Sequence, residues 1–573
     1  MVRSKKGGDR HRIPPADAPC RSRSRPGRPE LPATESGHDD ETSAVAETSD
    51  AAQVDAALFL GLGDLGRRTQ SHAASNSSFD ITQLQQEPAC VPSLPYCELL
   101  TKCIIAEYGT GDQGKRILSS MLSFCRSQTA LKFAIVDGSL EAAAKPPENI
   151  GRAWRKDPRE LVHTLQNGDG VPLNGTQKEG VFSAVTRTLT LVQGPPGTGK
   201  SNVAKHVVKM LGEEHPMLWR REGAMLMTAD SNPATDLLSS LASSAGLPTV
   251  RAAKPWQQHA KLKVPYVTEF QRASQLSNAS VVCATTGGVH LETLRMMEFP
   301  TVVLDEAAQV TEVKTLTALW RFTKHLVLIG DHQQLPPTVR QTAAKDLFME
   351  VSLFERLVQE KFPVTVLSVQ YRMTPWLARF PSKFFYNDKL QSFRADGSPP
   401  WEMWGSPWDV ESPVTIIDVS KEAKKSAAGS WMNTGEALFV QDVLSSCLRN
   451  GLMPDDIAVL TTYSGQRELL QSMLEETGVD VLTVDAAQGQ ERKIIIFNTV
   501  RTAVSKSIGH VADLRRVNVA ITRARDGLII TGDVTALKRD VSGWHPYLEE
   551  MKDVTFNEDD FYKWDIGNPR EEG

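Results

Sequence analysis

The sequence predicts an α/β protein with two tandem domains built on parallel sheets, preceded by a small accessory region and a disordered tail. Two observations support this fold class. Residues 188–192 form a β-branched, apolar run, which a glycine-rich turn and apolar residues at helical spacing follow. From about residue 364 onward, short apolar runs again alternate with helical segments, but without a second glycine-rich turn of this kind.

Composition sets broad limits on the function. Hydrophobic residues make up 40% and charged residues 23% of the 573 positions, as in soluble globular proteins of several domains. No apolar run approaches the roughly 18 residues that span a membrane, so we expect no membrane association. The formal net charge of -5 does not indicate a nucleic-acid binder, although a local groove can still be basic. The seven cysteines are scattered, which favours reduced thiols in an intracellular protein over a metal site.

The first 165 residues carry no recognisable chemistry. Residues 1–90 are predicted to be a disordered tail, because a basic start is followed by an acidic, Ser/Thr/Ala-rich stretch with few aromatics. The basic start fits a nuclear address, a nucleic-acid arm or a solvated tail, and the tail is also a candidate site for protein partners. Residues 91–165 show apolar periodicity and are predicted to form a helical or mixed accessory region.

A phosphate-binding loop is the most specific motif of the chain. The pattern G-x-x-x-x-G-K-[ST] is matched by Gly194-Pro195-Pro196-Gly197-Thr198-Gly199-Lys200-Ser201. Its position between a strand and a helix lets backbone N–H groups hold phosphate. We expect Lys200 to reach the β- and γ-phosphates and the Ser201 hydroxyl to bind Mg²⁺. Gln177 precedes the loop strand by about a dozen residues, where its amide can hydrogen-bond an adenine edge.

Carboxylates and an amide follow two later strands. Residues 301–304 are an apolar run that ends in Asp305 and Glu306, so Asp305 can hold Mg²⁺ and Glu306 can orient or deprotonate a water. Residues 326–330 deliver a polar loop in which Gln334 can sense the γ-phosphate. Together with the phosphate loop, these residues predict hydrolysis of a nucleoside triphosphate.

Two polar strand ends are candidates for contact with a single nucleic-acid strand. Ser231 and Asn232 follow the predicted strand 225–229, where they either bind a sugar–phosphate backbone or cap the next helix. Thr285 and Thr286 end the predicted strand 281–286. A further aromatic cluster either stacks bases or, as we favour, belongs to the core, and it comprises Trp401, Trp404 and Trp408.

The second half of the chain supplies arginines rather than a phosphate loop. Its predicted strands are 364–369, 414–418, 457–460, 481–484, 494–499 and 528–531. The polar segments 370–373, 461–467, 484–491 and 515–525 lie between these strands. Arginines spaced in this way can face a phosphate across a cleft and stabilise charge that develops on a transferring phosphoryl group.

The ordered set of motifs resembles the superfamily 1 helicases of the nonsense-mediated-decay helicase type, over about residues 173–533. The resemblance implies two RecA-like P-loop domains, with ATP and Mg²⁺ in the cleft between them and single-stranded RNA or DNA across their top. It also implies 5′-to-3′ translocation. Unlike the decay factor, the sequence has no Cys/His-rich zinc domain, and its stretch 239–279 is a short helical insert.

The resemblance also assigns roles to residues. Gln177 would read adenine, and Tyr371 and Glu491 would complete the nucleotide site. Gln334 would contact the γ-phosphate, while Arg372 and Arg523 would be arginine fingers. The residues expected to lie along the strand are Ser231, Asn232, Thr285, Thr286, Pro336, Thr483 and Val484.

These observations predict a first domain at 166–363, a second at 364–548 and a C-terminal tail at 549–573. The leading hypothesis is a monomeric, ATP-dependent helicase or single-strand translocase of the nucleus or cytoplasm. The alternative is an ATP-gated nucleic-acid clamp or ribonucleoprotein scaffold with little unwinding. A phosphotransferase is a third hypothesis, but it leaves the arginines of the second half unexplained.

Overall fold

The computed structural model describes residues 94–109, 111–150, 154, 156–166, 172–215, 223–254, 257, 262–267, 276–294, 297–319, 322–394, 412–504 and 507–567. These residues all belong to one unit, Ile81–Gly573. The predicted disordered tail at 1–90 and the three tryptophans at 401, 404 and 408 lie outside the described residues. Within the described part, no helix is long and apolar enough to cross a membrane.

The first half of the described chain alternates helices and strands. Its helices are α1 (Leu94–Tyr108), α2 (Asp112–Cys125), α3 (Ala130–Val136), α4 (Leu140–Ala144), α5 (Pro158–His163), α6 (Gly175–Thr186), α7 (Lys200–Glu214), α8 (Asn232–Ser244), α9 (Glu312–Thr317), α10 (Thr342–Lys345) and α11 (Leu353–Gln359). Its strands are β1 (Leu189–Gln193), β2 (Met225–Ala229), β3 (Thr249–Ala252), β4 (Tyr266–Val267), β5 (Val281–Thr285), β6 (Thr301–Leu304), β7 (His325–Gly330) and β8 (Val364–Val366).

Among the described residues, these eight strands form one parallel sheet in the order β4-β3-β5-β2-β6-β7-β1-β8. The predicted strands 225–229 and 301–304 are confirmed at both ends. In a parallel sheet the carboxyl ends of the strands meet at one edge. That edge therefore collects the phosphate loop after β1, Asp230 after β2, Asp305 after β6 and Asp331 after β7.

The accessory helices pack directly on this sheet. Helices α1 to α4 share a buried cluster with one face, through residues such as Ile104, Met121 and Leu131, while α6 to α8 cover the other face. A buried ion pair fixes α1, because Arg356 of α11 donates to both oxygens of Glu312, at 2.8 to 3.1 Å, and its guanidinium lies 5.2 Å from the Tyr96 ring. The described part of the predicted accessory region is thus helical.

The second half of the described chain forms another α/β layer. Its strands are β9 (Val369–Gln370), β10 (Gln391–Ser392), β11 (Val414–Asp418), β12 (Lys424–Lys425), β13 (Trp431–Met432), β14 (Ile457–Thr461), β15 (Asp480–Thr483), β16 (Arg492–Asn498), β17 (Ala524–Gly532) and β18 (Thr555–Asn557). Its helices are α12 (Pro375–Phe385), α13 (Thr434–Arg449), α14 (Ser464–Leu474), α15 (Leu514–Ile521), α16 (Val534–Leu537), α17 (Trp544–Glu550) and α18 (Glu558–Gly567).

Six of these strands, within the described residues, form a second parallel sheet in the order β15-β14-β16-β17-β11-β18. Buried clusters cover both of its faces. The predicted fold class, α/β with two tandem parallel sheets, is confirmed.

Two predicted boundaries are wrong. Residues 364–366 were predicted to open the second domain, but β8 pairs with β1 and extends the first sheet, with Gln193 opposite Val366. Residues 549–573 were predicted to be a tail, but β18 pairs with β11 and Phe561 of α18 is 3% exposed. The physical reason is burial of apolar residues such as Val554 and Phe561, which the tail interpretation left exposed.

The stretch 239–279, which was predicted to be a short helical insert, is described only in part. Residues 239–244 end α8, and the described remainder supplies the strands β3 and β4. Arg251 of β3 is fully buried, and it donates to Asp236 and Asn232 of α8 at 2.8 Å each. In its described part, this stretch therefore contributes edge strands that the preceding helix holds in place.

Candidate nucleotide-binding cleft

The phosphate loop has the backbone conformation that its glycines allow. Gly197 and Gly199 have φ angles of +74° and +82°, which residues with a side chain rarely adopt. A Cβ atom on Gly197 would lie 2.6 Å from the Cβ of Arg372. The loop is also tied to the neighbouring strand, because the Gly194 N–H donates to the Gly330 carbonyl at 2.9 Å. These constraints hold the loop open toward the cleft, directly opposite Arg372.

The predicted phosphate and metal ligands meet in this loop. The Lys200 Nζ donates to the Gly194 carbonyl at 2.8 Å, so the ammonium lies over the loop. The Ser201 hydroxyl donates to Asp305 Oδ2 at 3.0 Å, and Asp305 Oδ1 accepts the Glu306 N–H at 2.9 Å. Burial and the neighbouring Glu306 raise the pKa of Asp305 to about 6, while Lys200 opposes the shift.

This donor set fits Mg²⁺ bound together with a nucleotide. A hydroxyl and one buried carboxylate are oxygen ligands of the kind that Mg²⁺ takes when phosphates complete its coordination. Among the described residues, no group of three or more His, Cys, Asp or Glu side chains could hold a metal ion without such help. Ser201 and Asp305 are therefore the residues that would hold the ion.

Glu306 has an unusual backbone for a residue with a side chain. Its φ of +53° places it in the left-handed region, where a non-glycine residue carries strain. The Glu306 Oε2 accepts from the Gln309 Nε2 at 2.9 Å, which orients the carboxylate. The turn thus directs Glu306 away from the strand axis, next to the Asp305 carboxylate.

The loop after β7 forms a buried hydrogen-bond network that joins the two halves of the chain. Gln334 Nε2 and the Tyr386 hydroxyl donate to Asp331 Oδ2 at 2.7 and 2.8 Å. Gln193 Nε2 donates to the other oxygen of Asp331 at 3.1 Å. The Tyr386 oxygen in turn accepts from Asn518 Nδ2 at 2.9 Å. Gln334 is therefore positioned by residues from both sheets.

Two arginines of the second half reach the first half across the cleft. Arg523 is 2% exposed, and its Nη2 lies 3.4 Å from Gln334 Oε1. Arg372 donates to Glu491 Oε2 at 2.5 Å and to the Thr522 carbonyl at 3.0 Å. Burial, together with the charge of Arg372, lowers the pKa of Arg523 to about 9, so the side chain remains a cation at neutral pH.

Arg523 has no carboxylate partner for its charge. Its nitrogens donate to the Val519 and Gln490 carbonyls and to the Thr522 hydroxyl, and no ion pair involves it within the described part of the chain. Glu306 and Glu491 stabilise its charge only from beyond ion-pair distance, and a buried guanidinium with no carboxylate in contact is costly. The arrangement therefore favours an anion in the cleft between Arg523 and the phosphate loop.

Gln177 and Tyr371 lie beside the loop, but they make contacts other than those predicted. Gln177 is 3% exposed, its Nε2 donates to the Thr198 carbonyl at 3.0 Å, and its Oε1 accepts the Asn174 N–H at 3.2 Å. Tyr371 is exposed, and its N–H donates to the Gly197 carbonyl at 2.9 Å. Both Gln177 amide atoms are thus used within the protein, and its adenine contact stays a prediction.

Comparisons with known proteins match this architecture. Two family models, each described as an AAA domain, match residues 349–535 and residues 172–264 with 252–342. Regulator of nonsense transcripts 1 of Caenorhabditis elegans is 33% identical over 435 residues, 67% of this chain and 40% of that relative. ATP-dependent helicase upf1 of Schizosaccharomyces pombe is 31% identical over 477 residues, 74% of this chain and 51% of that relative. The chain belongs to the superfamily 1 helicases.

The chain spans about half the length, or less, of the curated relatives that it matches. Among solved structures, the match to an arterivirus nonstructural protein 10 helicase covers 64% of this chain and 64% of that chain. The sequence identity is 16% and the TM-score is 0.36, so the likeness is weak.

Several first-half residues predicted to contact nucleic acid already form hydrogen bonds within the protein. The Ser231 hydroxyl accepts the Ala234 N–H at 3.2 Å, so Ser231 caps α8, as the alternative interpretation held. Asn232 Oδ1 accepts from Arg251, and the Thr286 hydroxyl donates to Asp230. The Thr285 hydroxyl accepts the Gly288 N–H at 3.0 Å. These polar groups share the carboxyl edge of the first sheet.

The remaining residues predicted to contact a nucleic-acid strand differ in how far they are exposed. Thr483 is half-buried, and its hydroxyl accepts the Ala486 N–H at 3.2 Å. Val484 is fully buried in the core of the second sheet, so the structure does not bring its side chain to the surface. Pro336 is half-buried in the loop after β7. A role along a strand stays a prediction for Thr483 and Pro336.

Sequence reasoning missed the residues that join the two halves of the helicase fold. Tyr386 ends α12 and Asn518 lies on α15, and neither was singled out for a role. Arg515 of α15 donates to both oxygens of Glu355, at 2.6 and 3.2 Å. The contacts across the halves, from Asn518 Nδ2 to the Gln333 carbonyl and from Arg515 to Glu355, join residues 185 and 160 apart in sequence, so no local pattern could have revealed them.

Proposed function

We propose that the chain hydrolyses ATP in the cleft between its two RecA-like domains and uses the cycle to move along single-stranded RNA or DNA. The observation that carries the proposal is the buried, unpaired charge of Arg523 beside Gln334. Because a γ-phosphate held by the loop of the first domain would supply the missing anion, hydrolysis would need both domains. The names of the relatives, ATP-dependent helicases among them, agree with this assignment.

Each cleft residue has a chemical task on this proposal. Bound ATP with Mg²⁺ supplies the phosphoryl group and the charge that polarises it. Lys200 exchanges the Gly194 carbonyl for phosphate oxygens, and Ser201 and Asp305 hold the metal ion. Glu306 orients the attacking water and accepts its proton. Arg372 and Arg523 stabilise the charge that develops on the transferred group.

Motion follows from the contacts that the two domains share. Asp331 contacts Gln334 on the nucleotide side and Tyr386 on the second-domain side, so loss of the γ-phosphate would alter a network common to both sheets. The polar carboxyl edge of the first sheet, with Thr285 and Asn232, would contact the backbone of the strand. We propose a 5′-to-3′ direction from the family resemblance alone.

ATP hydrolysis by the full chain, with and without single-stranded RNA and DNA at fixed low salt, tests the proposal. The Glu306→Gln variant is the matched blank, since it keeps the size of the side chain and removes the base. We expect stimulation by at least one polymer and no turnover above background in the variant. Stimulated hydrolysis without displacement of a paired strand would favour the clamp, and equal turnover in the variant would contradict the proposal.

A further inference from the structure

A cavity of about 440 Å³ lies outside the nucleotide cleft, between α2 and the turns that follow β5. One side is a polar face of α2, on which residues 116, 119, 120 and 123 recur at helical spacing. We call this cavity the α2 pocket and define it by Lys115, Arg116, Ser119, Ser120, Ser123 and His290. Glu292 and Leu319 complete the described lining.

The polar groups of the α2 pocket lack partners within the described part of the chain. Neither Lys115 nor Arg116 forms an ion pair there, and the three serine hydroxyls form no hydrogen bond. His290 Nε2 is buried and also has no hydrogen-bond partner. Glu292 already interacts with another group. Two cations and three hydroxyls therefore line one cavity without a protein partner among the described residues, and Lys115, Arg116 and Ser119 are exposed to solvent there.

The cations and hydroxyls carry the chemistry of the pocket, because the imidazole is neutral. Burial, together with the charge of Arg116, lowers the pKa of His290 to about 4. The His290 Nε2 is closed off from solvent, so it adds neither charge nor a contact to a ligand in the cavity. Hydroxyls, a guanidinium and an ammonium match the oxygens of a phosphate group.

The α2 pocket adjoins the edge that we propose contacts a nucleic-acid strand. His290 follows the carboxyl end of β5, four residues after Thr286. One short turn, Gly288–His290, therefore links the edge at Thr285 and Thr286 to the lining of the pocket.

We propose that the α2 pocket binds a backbone phosphate of the single strand, beyond the contacts at Thr285 and Thr286. The proposal rests on the proposed function for the presence of the strand, but it concerns a separate site. The accessory helices thereby extend the grip of the first domain along the nucleic acid. A phosphate bound here gains two cations and several neutral donors, and the long-range part of that gain depends on salt.

The test is binding of a fluorescein-labelled single-stranded oligonucleotide to the full chain, by fluorescence anisotropy across a salt series and a series of strand lengths. The variant combines Lys115→Gln with Arg116→Gln. We expect a change for strands long enough to pass Thr286. In the variant, the slope of the logarithm of the association constant against the logarithm of the salt concentration should lose about 0.7 in magnitude for each phosphate that is no longer neutralised. For shorter strands, variant and wild type should bind alike.

A charge-matched control uses two lysines of the neighbouring accessory helices, Lys102 on α1 and Lys145 just after α4. Lys102→Gln with Lys145→Gln also removes two cations, which are exposed and pair with Glu98 and Glu141 outside the pocket. This control should keep the wild-type salt slope. A chain with the single change Arg116→Lys, which keeps both cations, should also show most of the wild-type slope. Basal ATP hydrolysis should be unchanged in every variant, because none of these residues lies in the nucleotide cleft.

Each contrary outcome has a distinct meaning. An unchanged slope in the pocket variant, with stimulated hydrolysis intact, would overturn the pocket proposal and leave the proposed function standing. Inorganic phosphate could also raise the melting temperature of the wild type but not of the variant, while both bind the strand equally. This result would assign the pocket to a free phosphate ligand and overturn the strand assignment. Failure of the wild type to bind any strand would contradict the proposed function itself.

Discussion

Buried arginines in this chain differ in how their charge is satisfied. Arg251 is fully buried, but Asp236, Asn232 and the Ala252 carbonyl accept its hydrogen bonds. Arg356, which is half-buried, is likewise paired with Glu312. Arg523 is buried to a similar degree as Arg251 and has only neutral acceptors within the described residues. At the scale of single residues, Arg501 is also buried without an ion pair among the described residues, since it donates to the Ser507 carbonyl and packs on the Trp431 ring; Arg523 differs from it in lying beside Gln334.

A buried histidine of the first sheet should make stability depend on pH. Burial lowers the pKa of His325 to about 4, and its ring nitrogens contact the Ala184 carbonyl and the Thr301 hydroxyl. Below about pH 6.5 the unfolded chain binds a proton that the native ring excludes, so stability falls as the pH falls from about 6.5 to about 4. From about pH 7.5 to about pH 5.5, we expect His325 to cost about 1.4 kcal/mol.

Urea denaturation of the wild type and of His325→Gln at these two pH values measures this cost. The variant keeps an N–H donor near the Ala184 carbonyl but does not titrate in this range. The wild type should therefore lose more free energy of unfolding than the variant on acidification. An equal loss in both proteins would show that another group is responsible.

Local patterns predicted the residues whose chemistry is set by their own segment. Lys200, Ser201 and Asp305 meet as expected, because a glycine-rich turn and an apolar strand deliver them to the same edge. The contacts of Gln177 could not be predicted in this way. Its amide forms a capping box with Asn174 at the start of α6 and donates to the Thr198 carbonyl of the phosphate loop. The burial of Val484 depends on packing in the second sheet, which no short motif encodes.

At the scale of elements, strand pairing decided what the sequence pattern left ambiguous. β8 and β18 are three-residue strands, too short for alternation to indicate which sheet they join. Both were assigned wrongly at the domain boundaries, whereas longer strands such as β2 and β6 were predicted at their observed positions. The elements that connect the two halves, α12 and α15, act through Tyr386 and Asn518, whose contacts with Asp331 and Gln333 only the folded chain brings about.

The Tyr386 hydroxyl should position Gln334 for the nucleotide. Tyr386→Phe removes its hydrogen bonds with Asp331 and Asn518 and leaves the ring in place. Loss of a buried hydrogen bond costs about 1 to 3 kcal/mol, so we expect strand-stimulated kcat to fall about tenfold. Because Tyr386 acts through Gln334 and not on ATP itself, KM for ATP should change less than kcat.

Tyr562→Phe is the matched control for this change. Its hydroxyl donates to Asp442 Oδ2 at 2.8 Å on the surface of the second domain. The control should hydrolyse ATP as the wild type does. Wild-type kcat in Tyr386→Phe, or a rise in KM without a fall in kcat, would contradict the positioning role.

At the scale of the whole molecule, the groups that we propose act in hydrolysis are divided between two sheets. The first sheet supplies the phosphate loop and the carboxylates at the carboxyl ends of its strands. The second supplies Glu491 and Arg523 immediately before β16 and β17, which are neighbours in the second sheet. Neither half contains a complete site, so hydrolysis should report the contact between the halves.

Turnover of ATP by Arg523→Ala tests this division most directly, measured with saturating strand beside Arg379→Ala as the control. Arg379 lies on α12, is exposed and pairs with Glu550 at 3.4 Å, so its loss removes a similar charge outside the cleft. We predict that kcat falls by about 10³ to 10⁵ in Arg523→Ala, as for other arginine fingers, and remains near the wild-type value in the control. Normal turnover in Arg523→Ala would contradict a site built from both domains.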